Sequence, residues 1–420
     1  MTDSVLIAGG GIAGLAAAVS MARAGWQATV CERAAVFSEV GAGVQLGPNV
    51  SRIVQTWAGE AAMQSVAFAP DRLVARDMAS GAALGVLSLK DMQERYGSPY
   101  LTMHRADLHG LLLHTAKAQG VALHNEVTVQ QLNNLADGVQ VQSTRDQEGA
   151  HDQNLSTHAL AVVADGVWSR LRQTLLRDGE ASFTGHVAYR ALLAQADLPA
   201  SLRTRDVTVW MGPQAHVVAY PVRGGDGLNL VCLIEDASWQ AASSPTGDEH
   251  RQARWQDLQS WNLQHSAAQT QQALQHALRG AHVHVRQLIE QQADWRLWPL
   301  CGRPPMRSAN DHAQGRVALI GDAAHPMLPY LAQGAGMAIE DAWALAQHVP
   351  LSQARDVRPA LQRFAQARWP RNARVQQRAL RNGVLFHAQG PLRMARDLGL
   401  RVLGERVMDM PWLYAHKGGN

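Results

Sequence analysis

The sequence predicts an α/β protein: a parallel-sheet domain is interrupted by a mostly antiparallel sheet domain and followed by a helical C-terminal region. Three observations predict it. A strand, glycine turn, helix, strand unit opens the chain. Residues from about 183 to 300 hold β-type segments, two of them joined by the turn Gly224-Gly225-Asp226-Gly227. The chain then returns to a buried-strand run at 316–322 that ends in Gly321-Asp322. The parallel domain is therefore discontinuous, expected over 1–72, 98–178 and 285–350. The sheet domain is expected over 73–97 and 179–284, and the helical region over 351–420.

The opening unit is specific. Val5-Leu6-Ile7-Ala8 is a strand-like run, and Gly9-Gly10-Gly11-Ile12-Ala13-Gly14 follows it directly. A small-residue helical run over 15–24 comes next, then the β-type run Ala28-Thr29-Val30-Cys31, then Glu32. This is the βαβ dinucleotide fingerprint. Gly9 permits the tight turn, Gly11 lets the backbone approach a pyrophosphate, and Gly14 lets the helix lie close on the sheet. The helix N-terminus, with Ile12 and Ala13, offers unpaired N–H groups and partial positive charge to phosphates. Glu32 follows Gly14 by 18 residues, near the spacing of an acid that accepts from ribose hydroxyls. FAD or NAD(P) is the expected ligand. A second fingerprint is not found, but an NAD dehydrogenase also needs only one.

Further along, residues 41–49 form a glycine-rich loop, and residues 73–90 read as a short hairpin turning at Ala79-Ser80-Gly81. Residues 104–119 read as a helix with Leu108, Leu111, Leu112 and Leu113 on its apolar face. Residues 121–129 and 139–143 are strand-like. Residues 160–164 form a buried strand ending in Asp165-Gly166, where a doubly wound sheet places ligand contacts. A polar helical region is expected over 252–278, and helices over 336–348 and about 359–410.

Composition narrows the class. The 46% apolar content and 17% charge fit a globular protein with a sizeable core. A net charge of +3 without basic runs argues against a nucleic-acid partner. Cys31, Cys232 and Cys301 are far apart, so neither a zinc site nor a disulfide framework is expected, and no metal is required. No segment has 18 uninterrupted apolar residues, so no membrane partner is expected and the cytoplasm is the default location.

A second constellation runs from Gly321-Asp322-Ala323-Ala324-His325-Pro326 to Gln333-Gly334-Ala335-Gly336-Met337, ending near Asp341. A strand ending in Gly-Asp places a carboxylate at the sheet edge, where it can accept from the hydroxyls of a ribityl chain. The tract 334–337 offers backbone N–H groups to an electron-rich ring edge.

The fingerprint with Glu32-Arg33, Asp165-Gly166 and the 321–341 tract together resemble the class A flavoprotein aromatic hydroxylases, the para-hydroxybenzoate hydroxylase family. The resemblance spans about residues 4–390. It implies a Rossmann-like FAD-binding domain of the GR2 type, and a substrate domain that covers the flavin. The tracts 41–49, 104–109, 183–190 and 216–222 resemble the 3-hydroxybenzoate 6-hydroxylase, salicylate hydroxylase and 6-hydroxynicotinate 3-monooxygenase branch. Carried over residue by residue, the resemblance puts Arg105 on FAD, Glu32 and Arg33 at the adenosine ribose, Val129 beside the adenine, and Gln45 near the flavin ring. Asp165 and Asp322 fall in the cofactor motifs. His216 and Tyr220 match the pair that orients and deprotonates a phenol.

That pair also makes sense from the residues. Four apart on a strand, both side chains point to one face, with Cα atoms roughly 13 Å apart. A histidine suits removal of a phenol proton, which enriches the ring for electrophilic oxygen. The family can carry a substrate-binding glutamine where this chain has Pro329, so Tyr330 is the expected substitute, with Tyr189 a further substrate candidate. The expected activity is a flavin-dependent monooxygenase acting on a small hydroxylated aromatic acid. It would use NADH or NADPH and O₂ through a C4a-hydroperoxyflavin, like 3-hydroxybenzoate 6-hydroxylase. The alternatives are a decarboxylating salicylate 1-hydroxylase or 6-hydroxynicotinate 3-monooxygenase, and a non-hydroxylating flavin oxidoreductase. A non-catalytic FAD-binding protein is the third. The resemblance also implies a homodimer.

Overall fold

A computed structural model of the chain describes residues 3–37, 43–147, 150–236, 267–292, 294–353 and 356–417. Gly41 and Ala42 of the glycine-rich loop, and residues 252–266 of the expected polar helix, lie outside them.

Strand Ser4–Ala8 pairs parallel with Gln27–Cys31 on one side and with Leu160–Val163 on the other. Val317–Leu319 and Ala122–His124 extend this parallel sheet outward, and Ala313–Gln314 adds an antiparallel edge. Val5, Ile7, Leu160, Val162, Val163, Val317 and Leu319 have no exposed surface. A parallel sheet with both faces covered requires such continuous apolar strands. Helices Ile12–Arg23 and Gly334–His348 share one core with this sheet, together with Leu361 and Phe364 of the long helix Val357–Phe386. The other face packs against Val139, Val141 and Leu171.

Strands Val127–Asn134, Val139–Gln147 and Ala150–His158 form a separate three-stranded antiparallel sheet. The last strand is absent from the sequence reading. Its polar sequence lacks apolar alternation, and pairing with its neighbour alone makes it a strand.

The second large sheet has seven strands, in the order Arg296–Gly302, Ser182–Ala194, Gly227–Glu235, Ala215–Val222, Val207–Gly212, Arg72–Asp77, Ala83–Ser88. All neighbours are antiparallel except Val207–Gly212 with Arg72–Asp77. The hairpin expected over 73–90 is its far edge. Strand Arg296–Gly302 corrects the expected boundary at 284/285. It pairs with Ser182–Ala194, and helix Val283–Glu290 buries Val285, Leu288 and Ile289 in the same core. Helix Val283–Glu290 and strand Arg296–Gly302 thus pack with the sheet domain.

Strand alternation gives this sheet two faces. Val187, Tyr189, Ala191, Val217, Ala219, Leu230 and Cys232 are buried in one core with Leu274 and Val285 of the covering helices. His186, Ala188, Arg190, His216, Tyr220, Asn229 and Leu233 lie on the opposite face. That face meets the nucleotide domain: the Gly43 N–H donates to Asn229 Oδ1 at 2.7 Å, and Tyr220 packs directly against Gly43. Tyr189 therefore leaves the list of substrate candidates, because its side chain fills the core on the far side of the sheet. Its neighbour Arg190 faces the domain boundary instead.

Candidate active site

Two helix N-termini meet at the carboxyl end of the parallel sheet. Helix Ile12–Arg23 starts after Gly11 and helix Gly334–His348 after Gln333; neither has a side-chain cap or an acid in its first turn. The first intrahelical bonds run from Leu15 N–H to Gly11 O and from Met337 N–H to Gln333 O. The N–H groups of residues 12–14 and 334–336 thus have no acceptor within their own helices. Both ends offer donors and partial positive charge to one cleft. Met337 departs from expectation. Its N–H is used inside the helix and its side chain is fully buried, which leaves the ring-edge contact to Gly334, Ala335 and Gly336.

Glycine geometry sets the cleft's shape. Gly9 has φ +107°, and a Cβ there would stand 2.4 Å from the Ala164 carbonyl oxygen and 3.1 Å from Asp165 Cα. A Cβ on Gly14 would stand 1.8 Å from the Gly9 oxygen. Gly321 is wedged between the two helix starts: its Cβ would lie 2.8 Å from Ala13 Cβ and 3.2 Å from Ala338 Cβ. The Gly-Asp turn therefore delivers Asp322, exposed, to the gap between the two N-termini.

Glu32 braces the glycine turn. Its two oxygens accept from the Gly10 N–H at 2.6 Å and the Ala34 N–H at 2.9 Å. Asp165 is open to the cleft yet walled by protein on its other sides, so desolvation raises its carboxyl to about 6, against the opposing pull of Ser169 and Arg33. Arg105 opens helix Arg105–Ala118. One turn on, His109 Nε2 lies 2.8 Å from the Gly10 carbonyl and ties that helix to the glycine turn. Val129 is half-buried near Cys31 on strand Val127–Asn134.

A buried charge network stands beneath the Gly-Asp turn. Asp341 Oδ2 accepts from the Gly321 N–H and from His325 Nε2, and Oδ1 accepts from Arg368 Nε and Asn372 Nδ2, each at 2.9 Å. Glu340 accepts from Arg368 at 2.8 Å, from Arg371 at 2.6 Å and from Asn49 at 2.7 Å. Burial alone would raise both carboxyls. His325 and Arg368 hold Asp341 well below the usual range, and Arg368 with Arg371 brings Glu340 down to about 2. The sequence reading reached Asp341 only as the end of a tract. Two adjacent acids in an apolar helix, with Arg368 and Arg371 in a later one, were the available signal.

On the sheet face above, His216 is 1% exposed. Its Nδ1 lies 2.8 Å from His387 Nε2, and His387 Nδ1 lies 2.7 Å from Glu235 Oε1. Tyr330 and Phe386 complete the cluster, with ring centroids 5.1 and 5.3 Å from that of His216. The Tyr330 hydroxyl is buried without a hydrogen-bond partner. Tyr220 belongs to a different group: Gln45 bonds it and also accepts from the Tyr100 hydroxyl at 2.6 Å. His216 and Tyr220 thus share a face, as their spacing implies, but not their partners. Arg190 stacks over Trp298 at 4.7 Å, with its Nε buried and unpaired.

A family model described as FAD binding domain matches residues 2–379. The chain is also 34% identical over 421 residues to 3-hydroxybenzoate 6-hydroxylase 1 of Aquipseudomonas alcaligenes, an alignment covering 99% of this chain and 98% of that one. The chain belongs to the FAD-dependent aromatic hydroxylases.

Two other relatives agree with this membership. One is 6-hydroxynicotinate 3-monooxygenase of Bordetella bronchiseptica, 31% identical, with 89% of each chain covered. The other is a solved salicylate hydroxylase substrate complex, with a TM-score of 0.76 and 26% identity, covering 98% of this chain and 95% of that one. The hydroxylase is an FAD-dependent monooxygenase, and its cleft fits the cofactor. Two uncapped helix ends suit the diphosphate and the flavin's polar edge, the missing Cβ atoms let both approach the backbone, and Asp322 suits ribityl hydroxyls. Bound flavin supplies the redox chemistry and the activated oxygen. Among the described residues, no helix of the hydroxylase is long and apolar enough to cross a membrane.

Proposed function

We propose that the enzyme hydroxylates a small hydroxylated aromatic acid of the 3-hydroxybenzoate kind, with NADH or NADPH as electron donor and O₂ as co-substrate. One observation carries this reading. The Gly321 tract runs from the cofactor cleft to Tyr330, whose ring centroid lies 5.1 Å from that of the buried His216 and whose hydroxyl has no partner. His216 takes the phenol proton, and Tyr330 orients a polar group of the ring. Arg190 supplies a cation on the same face for the carboxylate. Tyr220, held by Gln45, positions the ring against the flavin edge. Phe386 and Trp298 help keep water out. Glu32, Arg33 and Val129 hold the adenosine half of FAD, Arg105 its phosphates or ribityl chain, and Asp165 lies near the cofactor.

The test is a panel of 3-hydroxybenzoate, salicylate and 6-hydroxynicotinate, scored for NADH and NADPH oxidation, product mass and released CO₂. Product one oxygen heavier, in step with nucleotide consumed, is the expected result. Loss of CO₂ with any substrate would assign a decarboxylating hydroxylation. Nucleotide oxidation without hydroxylated product across the panel would overturn the reading in favour of another flavin oxidoreduction.

The same reading includes a cytoplasmic homodimer. Cys31 and Cys232 are buried free thiols, as a reducing compartment allows. Helix Gly390–Leu403 exposes Met394, Leu398 and Val402, spaced four apart along one face. Light scattering at the monomer mass would remove the dimer.

A further inference from the structure

We infer that His216, His387 and Glu235 form a proton relay that carries the substrate's phenol proton from the buried site to solvent. The inference rests on the reading of His216 as the phenol's base and adds two residues to it.

The hydrogen-bond roles follow from what each group can do. The Glu235 carboxylate only accepts, so His387 donates through Nδ1. Neutral His387 then has its lone pair on Nε2, and His216 donates to it through Nδ1. The lone pair of His216 is thereby placed on Nε2. This is the tautomer a base needs, and it is fixed by two partners in series. Burial and the neighbouring histidines keep His216 neutral, and burial is also the main force lowering His387.

The line has a buried end and a wet end. His216 is 1% exposed and His387 is 6% exposed, whereas the Glu235 side chain is 40% exposed. Glu235 ends strand Gly227–Glu235 at the rim of the sheet. His387 comes from another part of the chain, as the C-cap of helix Val357–Phe386. His186 flanks the line without joining it: its Nδ1 donates to the Thr184 carbonyl at 3.0 Å, and its Nε2 lies 3.9 Å from Glu235 Oε1, beyond hydrogen-bond reach. The positive charge of Arg396 also acts on His387 and disfavours a resting charge there.

The proton balance is complete. His216 Nε2 takes the phenol proton and its Nδ1 proton moves to His387 Nε2. The His387 Nδ1 proton moves to Glu235, which releases it to water. Each histidine ends neutral in its other tautomer, and His216 Nε2–H now donates to the phenolate. Reprotonation of the product runs the three transfers backward and restores the starting tautomers. Both directions keep a charged imidazolium out of a dry cluster, where its desolvation would be costly.

The test uses the FAD-loaded, oxidised enzyme and 3-hydroxybenzoate as probe. Stopped-flow absorbance follows the phenolate band of the bound probe, and an indicator dye in weak buffer follows proton release. In Glu235→Gln and His387→Gln, both signals should slow by about 10²-fold, the lower end for loss of a proton-transfer partner. The equilibrium affinity for the probe should stay near that of the parent. Added imidazole should restore the rate in Glu235→Gln, which a structural role would not produce. Parent-like rates in both variants, with phenolate formation abolished in His216→Ala, would overturn the relay and leave His216 as the base. Parent-like phenolate formation in His216→Ala would overturn the base assignment and the relay with it.

Discussion

The Gly321 N–H donates to the Asp341 carboxylate at 3.2 Å, tying the turn that presents Asp322 to a fully buried acid twenty residues later. The turn that presents Asp322 is thus held in place by a buried charge network. Asp341→Ala should leave Arg368 underpaired and cost about 3–5 kcal/mol of stability. Urea unfolding checks the loss, and a parent-like midpoint would show the network to be dispensable. The network also sets an acid limit. Glu340 is lowered from 4.5 to about 2, so its contribution is complete above pH 4.5 and is lost as pH falls from there towards 2. Asp341 is lowered as well, and its contribution disappears in the same direction. Melting temperature should therefore drop below about pH 4.5 in the parent and less steeply in Glu340→Gln.

Gly321→Ala should release FAD. The residue has φ +57° and its new methyl would press on Ala13 Cβ, so a cost of more than about 1 kcal/mol is expected. Gly110→Ala is the control, since that residue is exposed on helix Arg105–Ala118 and a Cβ there meets nothing within 4 Å. Flavin retained on desalting measures both. Equal retention in the two variants would remove the steric account of the turn.

Asp322→Ala should fold normally, because the side chain is exposed, and should bind FAD more weakly by about 1–3 kcal/mol. Fluorescence titration of the apoprotein with FAD reads the loss. Parent affinity would make the acid a cap for its own turn and nothing more.

Tyr330→Phe separates a ligand contact from a structural one. The hydroxyl has no partner inside the protein, so its removal should not lower stability. It should weaken aromatic-acid binding by about 1 kcal/mol. A fall in melting temperature with unchanged substrate affinity would contradict both statements.

His216→Ala should slow hydroxylation by about 10²–10⁴-fold while reduction of the flavin continues, so more H₂O₂ should form per nucleotide oxidised. Because burial and its histidine neighbours push His216 well below 6.5, it stays neutral and basic at mildly acid pH. The acid limb of the hydroxylation profile should therefore lie below pH 6.5. A limb at or above 6.5 would mean that another group titrates.

Much of the cofactor cleft was legible because it is local. Gly9, Gly11, Gly14, Asp165 and Asp322 each follow a short apolar strand, and a strand end at the edge of a parallel sheet has one possible destination. The substrate face was legible only in part. Spacing on one strand sufficed to put His216 and Tyr220 on a common face, but it could not say which face of Ser182–Ala194 looks inward, so Tyr189 was named and Arg190 was not. Strand Arg296–Gly302 was placed in the wrong domain for a similar reason: its partner is more than a hundred residues away.

The sequence by itself determined the nucleotide fold, its interruption by a second sheet, the two helix starts after glycine-rich turns, and the Gly-Asp turn between them. Those depend on backbone geometry within a few residues, which glycine positions and apolar periodicity encode directly. Tertiary structure alone decided that His387, from the end of a C-terminal helix, stands between His216 and Glu235. It also decided that Arg368 and Arg371 neutralise Glu340 and Asp341. Such contacts join side chains 27 to 171 positions apart, and only the packing of the long helix against both domains brings them within hydrogen-bond reach.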